Sequence, residues 1–478
     1  MTAAAPAVME ITRREQEEAV QAPPTLSAAQ ALARFARRQM EAPTTPERVT
    51  NKTMQLVVDQ IGLQLGCAEL PWSRAVHDYI ASFSALGPAT VVAYGGKVHP
   101  EHAAFANATF GHGQDFDDTC MRVQTHVGAS VIPVAIAVGE EVGASGEAVL
   151  RAASAGLEVM LRVAHSVSPG CLRRGHHTPP AAGPFGAAVA AGLLRDLSAP
   201  VLTQAIAIAG SFSGGLIEYT QGGGSVKRIH SAIPTTAGIR AASLAAAGLT
   251  GPVSVLDGQK GFCRVYSDTP APERLTADLD ETFLLDDVGL KAYNCCYFIH
   301  APIEALLEIV RVTGTHPDDI DRIDVGTCAH GRVHVGSIAE PTDQLGAQFS
   351  VQFSLALALL REAPGIDSYT TAQLDDPQLR DFARRVSVHE DQAATAEYPG
   401  NWGSIVTVKT RGGRTYRRRV RFPRGTAENP MSNREIWEKF SRNTEPVLGP
   451  RRSAEVRDCL TRLYQLGDIR ELTALLKS

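Results

Sequence analysis

Gly183-Pro184-Phe185-Gly186-Ala187-Ala188-Val189-Ala190-Ala191-Gly192-Leu193-Leu194 carries no charge and is built almost wholly of small and aliphatic residues. Alanine is the strongest helix former, and side chains of this size let helices lie close together, so the stretch predicts a helix packed among helices. Ala103 to His112, Ser130 to Val142, Glu147 to His165, Val201 to Ser211 and Ser231 to Ala247 share the texture, broken by Gly and Pro. No alternating strand of convincing length lies among them. Thr45-Pro46, a hydroxyl before a proline at the first helical position, predicts the start of a helix with Val49, Leu56, Val57, Ile61 and Leu65 roughly on one face. Residues 45–287 therefore read as a helical domain. Upstream, residues 1–44 read as a flexible N-terminal extension, a mobile tail with Ala-Pro repeats that becomes helix-like from Ser27 to Met40.

After residue 285 the texture changes. Asp321 to Thr327, Arg384 to His389 and Ile405 to Thr410 alternate or are β-branched, and Thr410-Arg411-Gly412-Gly413-Arg414 predicts a hairpin into Thr415 to Phe422. With helices expected at Ala301 to Val312 and Gln348 to Leu360, residues 288–424 read as an α+β domain. Residues 425–478 return to helix, beginning at Ser432 to Glu435 with capping-box spacing. The expected fold is mainly α: a large all-helical domain formed by both chain ends, with a smaller α+β lid domain inserted into it.

Composition removes several function classes. The 478 residues are 44% hydrophobic and 20% charged, with only 6% aromatic, as in a globular protein. Lys plus Arg is 46 against Asp plus Glu 51, so no global positive field exists to hold nucleic acid or an anionic membrane. The eight cysteines are scattered without CxxC spacing, and no run approaches 18 apolar residues. Arg13-Arg14-Glu15-Gln16-Glu17-Glu18 is a charged run where a signal peptide needs an apolar one. The expectation is a cytoplasmic protein with reduced thiols.

Four clusters could carry chemistry. The densest is Gly111-His112-Gly113-Gln114-Asp115-Phe116-Asp117-Asp118-Thr119, followed by Thr125-His126. Asp115 and Asp118, one helical turn apart, would suit a divalent cation. His126, tuned by an aspartate, would suit a metal-free acid/base site. The third reading is a helix end whose aspartates only cap backbone amides. Arg173-Arg174-Gly175-His176-His177 comes second; on an extended segment neighbouring side chains diverge, so at most one histidine faces a given site. Third, Gln221-Gly222-Gly223-Gly224-Ser225-Val226-Lys227 either offers amides and a lysine to an anion or is a flexible linker, and it lacks Walker spacing. Fourth, Lys291 to His300 lies at the domain junction, a preferred place for a pocket, and its vicinal Cys295 and Cys296 are either nucleophiles or buried packing. Arg417-Arg418-Arg419 reads as a solvated edge strand.

Taken in order, these clusters resemble the MmgE/PrpD family, which includes 2-methylcitrate dehydratase, cis-aconitate decarboxylase and iminodisuccinate epimerase. The likeness runs from about residue 45 to the C-terminus. It is carried by Gly111-His112 with Asp115 to Thr119, by His126, by Gly183-Pro184-Phe185-Gly186 after His177, by Val226-Lys227-Arg228-Ile229-His230, by Lys291 to Cys296 and by Glu428-Asn429-Pro430.

The resemblance implies a homodimer with its active site in the cleft between the helical domain and the lid, working without metal or organic cofactor. It selects the acid/base reading of the Asp115 cluster. It assigns catalysis to His126, His177, Asp115 and Thr119, with His126 as first proton carrier, and substrate binding to Lys227, Lys291, Gly223, Gly224, His112 and Cys296. The implied activity is a lyase acting on a small polycarboxylate, by dehydration of a 2-methylcitrate-like hydroxy acid. Decarboxylation of a cis-aconitate-like acid and epimerisation of an iminodisuccinate-like acid are the alternatives, and a non-catalytic binding member is the third. The chain departs from the family pattern at Val127, where proline is usual, at Gln114, where the residue is normally apolar, at Ala292, which removes a possible cation, and at Cys296, where the animal decarboxylases carry a further histidine.

Overall fold

The computed structural model describes residues 26–83 and 86–477. The tail expected over residues 1–25 lies outside them. The longer helices of the first core are α1 (Ala28–Glu41), α2 (Glu47–Cys67), α3 (Pro71–Ala81), α4 (Pro100–His112), α5 (Gly128–Val142), α6 (Gly146–Val167), α7 (Thr178–Leu194), α8 (Ala199–Ala209) and α9 (Ile233–Ala246). Every residue of α7 is buried, as a helix apolar on all sides must be. A Cβ on Gly186 would come within 2.5 Å of the Gly156 carbonyl oxygen of α6, and one on Gly238 of α9 within 2.3 Å of the Ala187 Cβ. Backbones approach this closely only where a side chain is missing, so the glycines in and around α7 make it the centre against which α6 and α9 pack.

A second apolar core surrounds a four-stranded sheet. Its elements are α10 (His300–Thr313), β3 (Ile320–Thr327), α11 (Val351–Leu360), β4 (Val386–Glu390), β5 (Ser404–Thr410) and β6 (Thr415–Val420). The order is β4-β3-β5-β6, with β3 and β4 parallel and the other pairs antiparallel. The expected hairpin is β5-β6, and β6 is an edge strand on which Arg417, Arg418 and Arg419 are exposed. The chain then returns to the first core through α12 (Asn433–Leu448), whose Ser432–Glu435 capping box forms, and α13 (Pro450–Thr461). Ile436, Phe440, Val456 and Leu460 pack with the N-terminal helices.

Three expectations are corrected. Residues 28–41 are not a flexible extension: Ser27 caps α1, and Leu32 and Phe35 are fully buried in the first core. Thr45 does not cap α2, which starts at Glu47 after Pro46 without a side-chain cap. The first core is not all-helical, because Leu86–Thr90 (β1) and Lys97–Val98 (β2) pair antiparallel. The hairpin is held from outside by Glu140 of α5, which accepts from the Thr90 amide, the Thr90 hydroxyl and Lys97, all at 2.6 Å. Among the described residues no helix is long and apolar enough to cross a membrane. All eight cysteines are free and buried.

Candidate active site

Between the two cores lies a cavity of about 480 Å³. The helical side lends it Asp115, Thr119, His126, His177, Tyr219 and Lys227, the α+β side Cys296, Phe298, His334, Phe349, Tyr398 and Trp402, and Lys291 stands at the crossing.

Asp115 is the electrostatic centre. It follows the end of α4 with φ 54°, a left-handed conformation that aspartate tolerates better than most residues. Its Oδ1 receives Lys227 Nζ at 2.8 Å and Lys291 Nζ at 3.0 Å, and Lys291 also donates to the Asp115 carbonyl at 2.6 Å. None of the three residues is more than 3% exposed. Burial alone would raise the carboxyl, but the two ammonium groups hold it well below its usual range. Burial pulls Lys227 below its ordinary value; at Lys291 the Asp115 and Asp117 charges outweigh burial and raise it. Two cations on one carboxylate leave positive charge at the cavity floor for an incoming anion. Lys439 of α12 ties this floor to the C-terminal helices by pairing with Asp59 at 2.6 Å and donating to the Lys291 carbonyl at 3.0 Å.

His126 is fixed as one tautomer. Its Nδ1 lies 2.6 Å from the Asp118 carbonyl oxygen, which can only accept, so Nδ1 carries the proton. In the neutral ring Nε2 then keeps its lone pair, 3.8 Å from Asp115 Oδ1. Thr119 Oγ1 is 3.3 Å from the same Nδ1. Burial holds the imidazole down at about 3, so it is neutral at pH 7. Behind it, His112 Nδ1 meets Asp117 Oδ2 at 2.9 Å, and the His112 ring stands edge-on to His126 at 5.0 Å. His112 is fully buried and does not line the cavity, so its position is that of a support for His126 rather than a substrate contact.

The cation reading of Asp115 and Asp118 does not hold. Asp118 accepts the Val127 and Gly128 amides, each at 2.8 Å, so its carboxylate caps the start of α5. The side chains that do gather with ligand-like spacing are His112, Asp117 and His126, with ligand atoms within 4.8 Å. Within that set His112 Nδ1 is engaged by Asp117, and His126 Nδ1 by the Asp118 carbonyl. On the second histidine face, His177 Nδ1 lies 2.8 Å from His230 Nδ1, so one ring donates to the other, while His176 turns away against Tyr266. Gly223 and Gly224 are exposed and absent from the lining; Tyr219 and Thr220 before them and Lys227 after them supply it.

Residues 30–275 match the MmgE/PrpD N-terminal domain and residues 293–462 the MmgE/PrpD C-terminal domain. The chain belongs to the MmgE/PrpD family. Cis-aconitate decarboxylase of Aspergillus terreus is 27% identical over 458 residues, covering 90% of this chain and 92% of that protein. Human cis-aconitate decarboxylase is 27% identical over 451 residues, 90% of this chain and 91% of its own. The cis-aconitate decarboxylase-like protein oryM of Aspergillus oryzae is 26% identical over 458 residues, 90% and 93%.

Two departures from the MmgE/PrpD pattern now have a physical account. Val127 supplies the amide that binds Asp118 Oδ2, a donor that proline in its place would lack. The Gln114 side chain enters a buried amide network: its Nε2 donates to the Ile366 carbonyl at 3.2 Å and its Oε1 accepts from Gln344 Nε2 at 3.2 Å and Gln348 Nε2 at 3.3 Å, while Arg228 donates to Gln348 Oε1 at 2.9 Å. Cys296 lines the cavity, and burial pushes its thiol up to about 12. The structure offers no reason for Ala292.

Sequence reasoning missed the aromatic side of this MmgE/PrpD cavity: Phe298, Phe349, Tyr398 and Trp402, with His330 and His334. His330 and His334 share the helix Ala329–Gly336 and Tyr398 and Trp402 share one loop, but nothing along the chain joins these pairs to each other or to Phe298 and Phe349. His230 and Phe298 did stand within quoted stretches, but neither had a partner visible along the chain.

Proposed function

We propose that this MmgE/PrpD enzyme is a lyase that removes water from a 2-methylcitrate-like hydroxy acid, with no metal or organic cofactor. The observation that carries the reading is the His126 tautomer: Nδ1–H is held by the Asp118 carbonyl and Nε2 is free beside the Asp115–Lys227–Lys291 group. A substrate carboxylate would sit against the two ammonium groups, which also stabilise the negative charge that develops when His126 Nε2 takes the proton from the adjacent carbon. His177 faces the departing hydroxyl as a hydrogen-bond partner, and the proton that completes water is the one His126 Nε2 has taken from carbon. If His230 donates across the 2.8 Å contact, the neutral His177 ring keeps its proton on Nε2, the nitrogen left free for the cavity. Thr119 steadies His126. The homodimer implied by the family likeness belongs to the same reading and is tested by light scattering.

Decarboxylation is the second reading, favoured by the names of the curated relatives. Against it stands Cys296, since decarboxylation ends in protonation at carbon and a thiol held at about 12 is a poor acid at pH 7. The test is to incubate chelator-treated protein with 2-methylcitrate, citrate, cis-aconitate and iminodisuccinate in deuterated water, followed by NMR. Olefin formation from a hydroxy acid supports dehydration, and carbon dioxide loss from cis-aconitate without it supports the second reading.

A further inference from the structure

The chemistry proposed above occupies only the floor of the cavity. Six of the 23 lining residues are Phe, Tyr or Trp, in a chain where such residues are 6% of the whole. The Phe298 and Trp402 rings stack at 4.0 Å and 8°, and Tyr398 stacks on His330 at 5.3 Å and 15°. Burial is graded along this wall: Lys227 and Lys291 are 3% and 1% exposed at the floor, Tyr398 is half-buried, and Arg173 and His330 are exposed at the rim.

The fixed positive charge of the lining stands at its floor and its rim, not on the aromatic wall. Lys227, Lys291 and Arg173 are the Lys and Arg residues of the lining, and Asp115 already engages both lysines. Arg173 is bound to Asp268 at 2.7 Å. A carboxylate placed against the stacked Phe298 and Trp402 rings would lose hydration without gaining a partner from them, whereas an apolar group would be buried there with gain. The volume, too, is of the size that encloses drug-like ligands.

We infer that the substrate is a carboxylic acid with an apolar substituent larger than methyl, its charged head against Lys227 and Lys291 and its alkyl or aryl group along Phe298, Tyr398 and Trp402. This refines the substrate class of the lyase reading, within which 2-methylcitrate is a member with a small substituent, and rests on its anionic head. The test measures binding, not turnover, by titration calorimetry of the full chain with methylsuccinate, butylsuccinate and benzylsuccinate, which lack a leaving hydroxyl. Affinity rises along the series, with benzylsuccinate at least about tenfold tighter than methylsuccinate. Trp402→Ala brings that ratio below about threefold. Tyr398→Ala, at a half-buried position, does the same in part and serves should the Trp402 variant fail to fold. A flat or falling series in the wild-type protein overturns the apolar subsite alone. Failure of all three acids to bind overturns the anionic head as well, and with it both proposals.

Discussion

The His126 Nδ1–H donates to the Asp118 backbone carbonyl across 2.6 Å, and the Asp118 carboxylate turns the other way to cap α5. One residue thereby fixes both the orientation of the base and the start of the helix that follows it. The base is held by backbone, so it is aimed before any substrate arrives.

Replacing the base should leave binding and remove chemistry. His126→Ala is expected to lower kcat by about 10²- to 10⁴-fold with a small change in KM, the range typical of a lost general base. Steady-state kinetics beside a thermal melt separate this outcome from a folding defect.

Asp115→Asn isolates charge from shape, because asparagine also tolerates a positive φ. It leaves two buried ammonium groups without their counter-ion, and an expected loss of about 3–5 kcal/mol follows from breaking a buried ion pair on one side. Lys227→Met should cost less, since Lys291 still compensates Asp115. Urea unfolding of both variants gives the order.

Because burial holds His126 at about 3, the free enzyme already carries the neutral base at pH 5. The profile of kcat/KM against pH, which reports the free enzyme, should therefore show no acid-side inflection near 6.5 from this group. A base with an ordinary histidine value would show one.

Stability should nevertheless fall in mild acid. His165, His230 and His334 are pulled down to about 4 by burial, and His126 to about 3, so between about 6.5 and 4 the unfolded chain binds protons that the folded chain does not. Glu304, pushed up to about 7 by burial, and Asp118, up to about 8, act in the opposite sense, but they are outnumbered. The melting temperature is expected to drop from pH 7 to pH 5.

Cys296 should behave as packing rather than as a nucleophile. With its thiol at about 12, alkylation by iodoacetamide at pH 8 should be slow, and Cys296→Ser should keep activity within about threefold.

Much of the fold is legible along the chain because α7 and its neighbours are specified by local residue size, and β3 to β6 by local alternation. What escaped was set by distant partners. The stretch Leu86-Gly87-Pro88-Ala89-Thr90 has two strand-breaking residues and pairs with β2 while Glu140, fifty residues on, holds Thr90. The segment of α1 reads as helix-like but part of a flexible extension, because nothing along the chain shows that Leu32 and Phe35 pack into the first core. In the site, motif order assembled Asp115, Thr119, His126, His177, Lys227, Lys291 and Cys296 in one cavity. The glycines failed because a loop's amides have no direction in a sequence, and the aromatic wall failed because its rings meet only after the second core has folded.

The most direct test is proton chemistry at carbon, read by NMR in deuterated water with wild-type protein and His126→Ala on 2-methylcitrate. The account predicts olefin signals from water loss with the wild-type protein and none above background with the variant. Olefin formation at the wild-type rate by His126→Ala would contradict it.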